Sequence, residues 1–276
     1  MDLPNLNFKM KNTSGVSLIV STYNWPEALN LCLLSIQKQV LLPEEVIIAD
    51  DGSGDETRLL IERFQKSFPV PLVHVWQPDE GFQLSRIRNK AIARASQGYI
   101  VQIDGDLILE RHFIQDHVAF RKEGSFVSGT RVQMSSVLSK RILEDPNVRP
   151  SIFSKGIKNF SNCFRISVVS QFLAERYKSD DPAYVRGCNM SFWKSDLEKV
   201  NGYNEAIVGW GREDSELAIR LINKGVTKKV LKFGAVAYHI FHKEVLRDAL
   251  ALNDNILKNS IANKLTICRA GLSQYL

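Results

Sequence analysis

From residue 16 onward the chain switches repeatedly between two hydrophobic periods. VSLIVSTYN is a short apolar run, rich in β-branched residues and ending in polar ones, and it predicts a buried strand over residues 16–21. PEALNLCLLSIQKQ opens on Pro26, which suits a first helical position, and repeats leucines at helical spacing. EEVIIADDGSGDET reads as a second strand entering a Gly/Ser/Asp loop, and TRLLIERFQKSF as a second helix. PLVHVWQ predicts a third strand. SRIRNKAIARAS predicts a third helix, with Gly98 as its break, and YIVQIDGDLIL a fourth strand that runs into acid.

This β-α-β-α-β-α-β order by residue 106 predicts an α/β fold: a mostly parallel, Rossmann-like sheet with helices on both faces. Ligands of such sheets bind outside the carboxyl ends of the strands. The polar residues gather at those ends, as Thr22-Tyr23-Asn24, Asp50-Asp51-Gly52-Ser53 and Asp104-Gly105-Asp106. The second half is less regular. Residues 107–125 read as helical and FVSGTRV (126–132) as a strand. Residues 133–183 show few clear periods, as binding loops and lids often do. YVRGCNMSFW, a helix-like SDLEKVNG, GWGREDSELAIR and VLKFGAVAYHIFHKE follow, and residues 247–276 carry apolar positions at helical spacing, which predicts a helical tail.

Composition narrows the class only slightly. The 276 residues suffice for one large domain or two small ones, with 44% hydrophobic and 24% charged residues, as in ordinary globular proteins. The N-terminal MDLPNLNFKMKNTSG has no apolar signal core and no apolar run is long enough to span a bilayer, so the cytoplasm is the expected compartment. Cys32, Cys163, Cys188 and Cys268 are scattered and read as reduced thiols. The net charge of +6 suits a phosphate-bearing substrate or an anionic membrane face. Nucleic acid is disfavoured, since there is no Lys/Arg run of five or more and no nucleic-acid motif.

Two stretches invite chemistry. In IDGD, Asp104 and Asp106 flank a glycine at a strand end; a solvated turn would use the same residues, but at the ligand edge a divalent cation would relieve their repulsion. In GWGREDSELAIR, an indole between two glycines precedes Glu213, Asp214 and Glu216 where a helix begins, and the helix dipole alone would favour carboxylates there.

Taken in order, VSLIVSTYN, VIIADDGSGDET, DEGFQLSRIRNKAI, YIVQIDGD and RGCNMSFWKSDLEKVNGYNEAIVGWGREDSEL resemble the inverting, family 2 nucleotide-sugar glycosyltransferases of GT-A fold. The DEGFQLSRIRN and GWGREDSEL stretches are most similar to bacterial chondroitin polymerase and related galactosyl- and N-acetylhexosaminyl-transferases, and the resemblance runs from about residue 16 to about residue 244. It implies a GT-A domain over 1–246, with a nucleotide-binding half (16–106) and an acceptor half (107–246), before the tail of 247–276. It implies that Thr22, Tyr23 and Asn24 line the base pocket and that Asp50 or Asp51 accepts the uracil N3–H. Arg88 would lie near the ribose or diphosphate, with Arg86, Lys90 and Arg94 as competitors. Asp104 would contact ribose or metal-bound water, and Asp106 with His239 would hold Mn²⁺ or Mg²⁺. His242 competes with His239: were this stretch a strand, alternation would let at most one point inward.

The implied reaction moves a hexose or N-acetylhexosamine from a UDP-sugar to a saccharide or lipid-linked acceptor, in bacterial surface polysaccharide synthesis. Asp214 would be the base and Glu213 a hydrogen-bonding partner able to exchange roles with it. Trp210, freed by Gly211, would be the platform for a sugar ring. Two other readings compete. A phosphotransferase would need an acid after the first strand, where Ser21-Thr22-Tyr23-Asn24 stand. A non-catalytic nucleotide-sugar-binding domain would need to have lost its base or metal site, yet Asp106 and Asp214 are both in place. The basic balance and the apolar tail permit peripheral contact with the inner membrane face.

Overall fold

The computed structural model describes residues 15–145, 147–178, 181–243 and 247–276. The start of the N-terminal stretch read above and the 244–246 junction lie outside these residues. The first half follows the predicted alternation: β1 (Val16–Thr22), α1 (Pro26–Ile36), β2 (Glu45–Asp50), α2 (Asp55–Gln65), β3 (Leu72–Trp76), α3 (Leu84–Arg94) and β4 (Tyr99–Asp104). Strands β1, β2 and β4 are buried nearly throughout, as parallel strands covered on both faces must be. Their residues divide by alternation. Leu18, Val20, Ile48, Val101 and Ile103 enter one core with α1, while Ile19, Ile47, Ala49 and Ile100 enter the other with Ile87 and Ala91 of α3. Helix α1 places Pro26 in its first turn and buries Leu29, Cys32, Leu33 and Ile36 against the large sheet, while Ala28 and Leu31 pack in a separate cluster with Val132 and Tyr238.

The second half departs from the sequence reading in several places. Residues 107–125 are not one helix: β5 (Leu107–Leu109) comes first and α4 occupies only Phe113–Phe120. The alternating LIL pairs in a sheet, which a helix-period reading misses. FVSGTRV is two strands, β6 (Ser125–Gly129) and β7 (Val132–Met134), which belong to different sheets. The irregular 133–183 stretch holds α5 (Ser136–Glu144), β8 (Ile157–Lys158) and α6 (Ser167–Leu173). Then follow β9 (Asn189–Trp193), α7 (Lys194–Lys199), α8 (Glu213–Asn223), β10 (Thr227–Leu231), β11 (Ala237–His239) and α9 (Leu250–Ala262).

The large sheet has the order β10-β6-β9-β4-β1-β2-β3, with β9 alone antiparallel to its neighbours. A smaller sheet runs β5-β11-β7-β8. The tail is helical, as expected, over α9. It is also firmly attached: Asn253 Nδ2 donates to the carbonyls of Val208 and Gly211, at 3.0 Å each, and Asp254 pairs with Arg212. All four cysteines are buried and unbridged.

Candidate active site

Parallel register brings the chemistry together. Thr22 lies beside Asp50, and Ser21 beside Asp104, so the ends of β1, β2 and β4 form one polar edge. Gly105 turns the chain there. Its N–H donates to the Ser21 carbonyl at 2.7 Å, and a side chain would meet that oxygen at 3.1 Å, so the glycine permits the close approach. Beyond the turn, β5 pairs antiparallel with β11, setting His239 opposite Leu107, next to Asp106. The Ile240 N–H closes the join on the Asp106 carbonyl at 3.0 Å.

The result is a cluster of Asp106, His239 and His242. Their ligating atoms all lie within 4.8 Å of one another, with His239 Nε2 3.2 Å and His242 Nε2 3.4 Å from Asp106 Oδ2. The alternation expected of His239 and His242 does not apply: β11 ends at His239, the chain turns off, and both rings reach the same carboxylate. Burial, then the charge of Asp104, pushes the Asp106 carboxyl up to about 8, and its Oδ1 is buried with no hydrogen-bond partner. Burial, then Arg131, lowers His239 to about 3, which leaves a neutral imidazole. An orphaned carboxylate oxygen beside two imidazoles fits a divalent cation, whose charge would favour the ionised carboxylate.

At the end of β2 the carboxylates differ. Asp50 is sealed, accepting from the Ser53 N–H at 2.8 Å and facing His74 Nε2 at 2.9 Å. Asp51 keeps slight exposure and accepts from the Gln83 N–H (2.8 Å) and Gln77 Nε2 (2.6 Å), yet burial still pushes its carboxyl up to about 6. Tyr23 is exposed and donates to Asp79 Oδ2, and Asn24, at φ 45°, receives the Gly54 N–H on its side chain.

Arg88 is 1% exposed and spans the site: Nη2 donates to Asp104 Oδ1 (3.0 Å), Nη1 to Glu213 Oε1 (3.4 Å) and Nε to Ser21 Oγ (3.3 Å). Arg88, expected near the donor's ribose or diphosphate, is a buried strut between β4 and the start of α8, paired with both acidic groups.

The three carboxylates after Trp210 part company. Glu216 forms a fully buried pair with Arg220 and accepts from Ser260 Oγ, so it is structural. Asp214 Oδ2 accepts the Gly187 N–H and Oδ1 the Ser215 N–H, both at 2.7 Å, which fixes the carboxylate. Glu213 is pushed up to about 7 by burial and then by the charge of Asp214, against the pull of Arg88; its Oε2 is buried without a partner. Trp210 is partly exposed with the Arg247 guanidinium 4.7 Å over its ring, and Gly209, Gly211 and Arg212 all take positive φ, making a sharp loop that Asn253 and Asp254 brace. Sequence reasoning singled out none of Gly187, His74, Gln77 and Arg131, although each lies inside a stretch it quoted: His74 and Gln77 in PLVHVWQ, Arg131 in FVSGTRV and Gly187 in RGCNMSFW.

The parallel sheet, the acid at its carboxyl edge and the flanking helices define the GT-A glycosyltransferase class. Among solved structures, a Pyrobaculum calidifontis mannosyltransferase in complex with GDP-Man and Mn²⁺ superposes with TM-score 0.60 at 19% identity, over 88% of this chain and 61% of its own. Staphylococcus aureus TarS 1-349 in complex with UDP-GlcNAc gives 0.60 at 16% identity, over 95% and 69%. Residues 17–200 match glycosyl transferase family 2, and the chain belongs to that family. Residues 167–243 also match the N-terminal domain of galactosyltransferase. The chain is 28% identical over 241 residues to the chondroitin synthase of Pasteurella multocida, covering 82% of this chain and 24% of that protein. It is 27% identical over 239 residues to that organism's hyaluronan synthase, again covering 82% and 24%, so it spans about a quarter of the length of these synthases. No helix among the described residues is long and apolar enough to cross a membrane.

Proposed function

We propose that the chain transfers a hexose or N-acetylhexosamine from a UDP-sugar to a saccharide or lipid-linked acceptor, with inversion, in the synthesis of a bacterial surface polysaccharide. One observation carries this reading: Arg88 bridges Asp104, two residues from Asp106, and Glu213, next to Asp214, so the groups that would serve the leaving group and the base lie on either side of one guanidinium. The UDP-GlcNAc complex of TarS and the polysaccharide synthases among the relatives support the donor and product class.

Asp106, His239 and His242 would hold the cation, and a donor set with two imidazoles favours Mn²⁺ over Mg²⁺. Bound there, the cation supplies positive charge beside the departing diphosphate. Asp51, which keeps slight exposure, reads the uracil N3–H, and the sealed Asp50 shapes the Ser53 turn. Thr22, Tyr23 and Asn24 border the base, and Asp104 faces the ribose. Asp214 accepts the proton of the acceptor hydroxyl as that oxygen attacks the anomeric carbon and the bond to the β-phosphate oxygen breaks. Attack opposite the leaving group turns a UDP-α-sugar into a β-linkage. Glu213, which burial pushes up to about 7, would hold a proton of its own beside Asp214. Trp210 lies against the acceptor ring.

The domain works at the inner membrane face, where the exposed Val168 and Phe172, one turn apart on α6, offer apolar contact. The test is UDP release from a panel of UDP-sugars with Mn²⁺. Tight UDP binding with no turnover of any donor would favour the binding-domain reading.

A further inference from the structure

Tyr203 and Gln102 are buried polar side chains with no part in the transfer chemistry proposed for Asp214. Tyr203 packs in the core of Ile87, Ile100, Met190 and Leu217, and Gln102, two residues along β4 from Ile100, faces the same side of the sheet. A phenylalanine and a methionine would fill these places without a polar atom. A buried hydroxyl and a buried amide cost free energy unless both are paired. Here they pair with each other and then with a third group. The Tyr203 hydroxyl, which burial keeps protonated, donates to Gln102 Oε1 at 2.9 Å. Gln102 Nε2 donates to the Gly187 carbonyl at 2.9 Å, and the Gly187 N–H donates to Asp214 Oδ2 at 2.7 Å.

The two ends of this relay differ in how firmly the backbone holds them. Gly187 stands beyond the last rung of the β4–β9 ladder, Ile103 with Asn189, and its own φ and ψ are the freest of any residue type. Fixing its carbonyl is what fixes the direction of its N–H. Tyr203, by contrast, is clamped. Asn89 donates to its carbonyl and accepts from its N–H, at 2.8 Å each, and Arg220 Nη2 donates to the preceding Gly202 carbonyl at 2.8 Å. The C-terminal tail closes on the same turn. The Leu272 N–H donates to the Asn201 carbonyl at 2.9 Å and the Ser273 N–H to Asn201 Oδ1 at 2.7 Å. The Arg88 guanidinium lies 5.3 Å over the Tyr203 ring, so the strut and the relay share one support.

From this geometry we infer that Tyr203 and Gln102 are positioning residues: they hold the Gly187 carbonyl so that its N–H keeps the Asp214 carboxylate aimed at the acceptor hydroxyl. The inference rests on the reading of Asp214 as the base and adds to it what holds that base in place. A proton acceptor displaced by a fraction of an ångström loses much of its rate advantage, so a rigid support is worth the cost of two buried polar groups.

The test is a double-mutant cycle on the full chain. Tyr203→Phe keeps the ring under Arg88 and removes only the hydroxyl. Gln102→Met keeps the volume and removes the amide. In each single variant kcat falls about tenfold, while the KM for the UDP-sugar and the UDP affinity by calorimetry stay at wild-type values. The double variant is no slower than Gln102→Met alone, because the hydroxyl acts only through the amide. It also melts close to wild type, since both buried polar groups leave together. An unchanged kcat in Gln102→Met overturns the inference. So do additive losses in the double variant, which would give Tyr203 a separate role, and a rise in KM at constant kcat. Amide hydrogen exchange at Gly187 reads the relay without turnover, and it quickens in both single variants. Unchanged exchange there defeats the relay, whereas a wild-type chain that turns over no donor defeats the transferase reading.

Discussion

Asp106→Asn separates the cost of the acidic cluster from its use. The Asp106 carboxyl rises from its ordinary 3.8 to about 8 in the folded, cation-free chain, chiefly through burial. The native state thus keeps a proton that the unfolded chain releases, and stability falls as pH climbs from about 4 to about 8. At about 1.4 kcal/mol per pH unit the full shift costs about 5 kcal/mol at pH 8. The side chain is 14% exposed, and relaxation with water entry reduces such penalties, so about 2–3 kcal/mol is the expected difference. In a domain of this size that is about 4–10 °C in melting temperature. The assay is thermal unfolding of chelator-treated wild type and variant at several pH values. The two melt together near pH 4, and the variant becomes the more stable as pH rises. Added Mn²⁺ then raises the wild-type melting temperature at pH 8 and leaves the variant unmoved. Parallel pH curves for the two proteins, or an equal response to Mn²⁺, would refute the reasoning.

Other outcomes follow from the same geometry. Asp214→Asn keeps UDP affinity by calorimetry and lowers the transfer rate about 10²–10⁴-fold, the scale of a lost general base. Gly187→Ala places a Cβ 3.0 Å from Asp214 Oδ2, so kcat falls with little change in donor affinity or melting temperature; unaltered kcat would dissociate Gly187 from base placement. Arg88→Met strands Asp104 and Glu213 beside an apolar side chain and costs about 3–5 kcal/mol, read from denaturant unfolding. UDP affinity weakens as pH falls through about 6, where Asp51 takes up a proton and can no longer accept the uracil N3–H freely; a flat profile assigns that contact elsewhere.

The first half was readable because its strands are short, buried and punctuated. Pro26 opens α1, the Gly52–Gly54 loop precedes α2, and Asp-Gly-Asp closes β4. The second half was less readable because its small sheet is built from strands of two or three residues, too short to show a period. That same sheet decides the cation cluster, since only the β5–β11 register brings Asp106 to the histidines. That Arg88 is a strut was not legible, because its partner Glu213 stands 125 positions away. Glu216 shows the converse. It looked like Glu213 and Asp214 in sequence, and only burial against Arg220 removes it from the chemistry.

The central claim is cation-dependent UDP-sugar transfer at the Asp106 cluster. Its most direct measurement is UDP release from a UDP-sugar panel, with Mn²⁺ and with chelator, by wild type and by Asp106→Asn. At least one donor turns over with Mn²⁺, falls to background with chelator, and is not turned over by the variant. Turnover that survives chelation, or an Asp106→Asn variant as active as wild type, would contradict it.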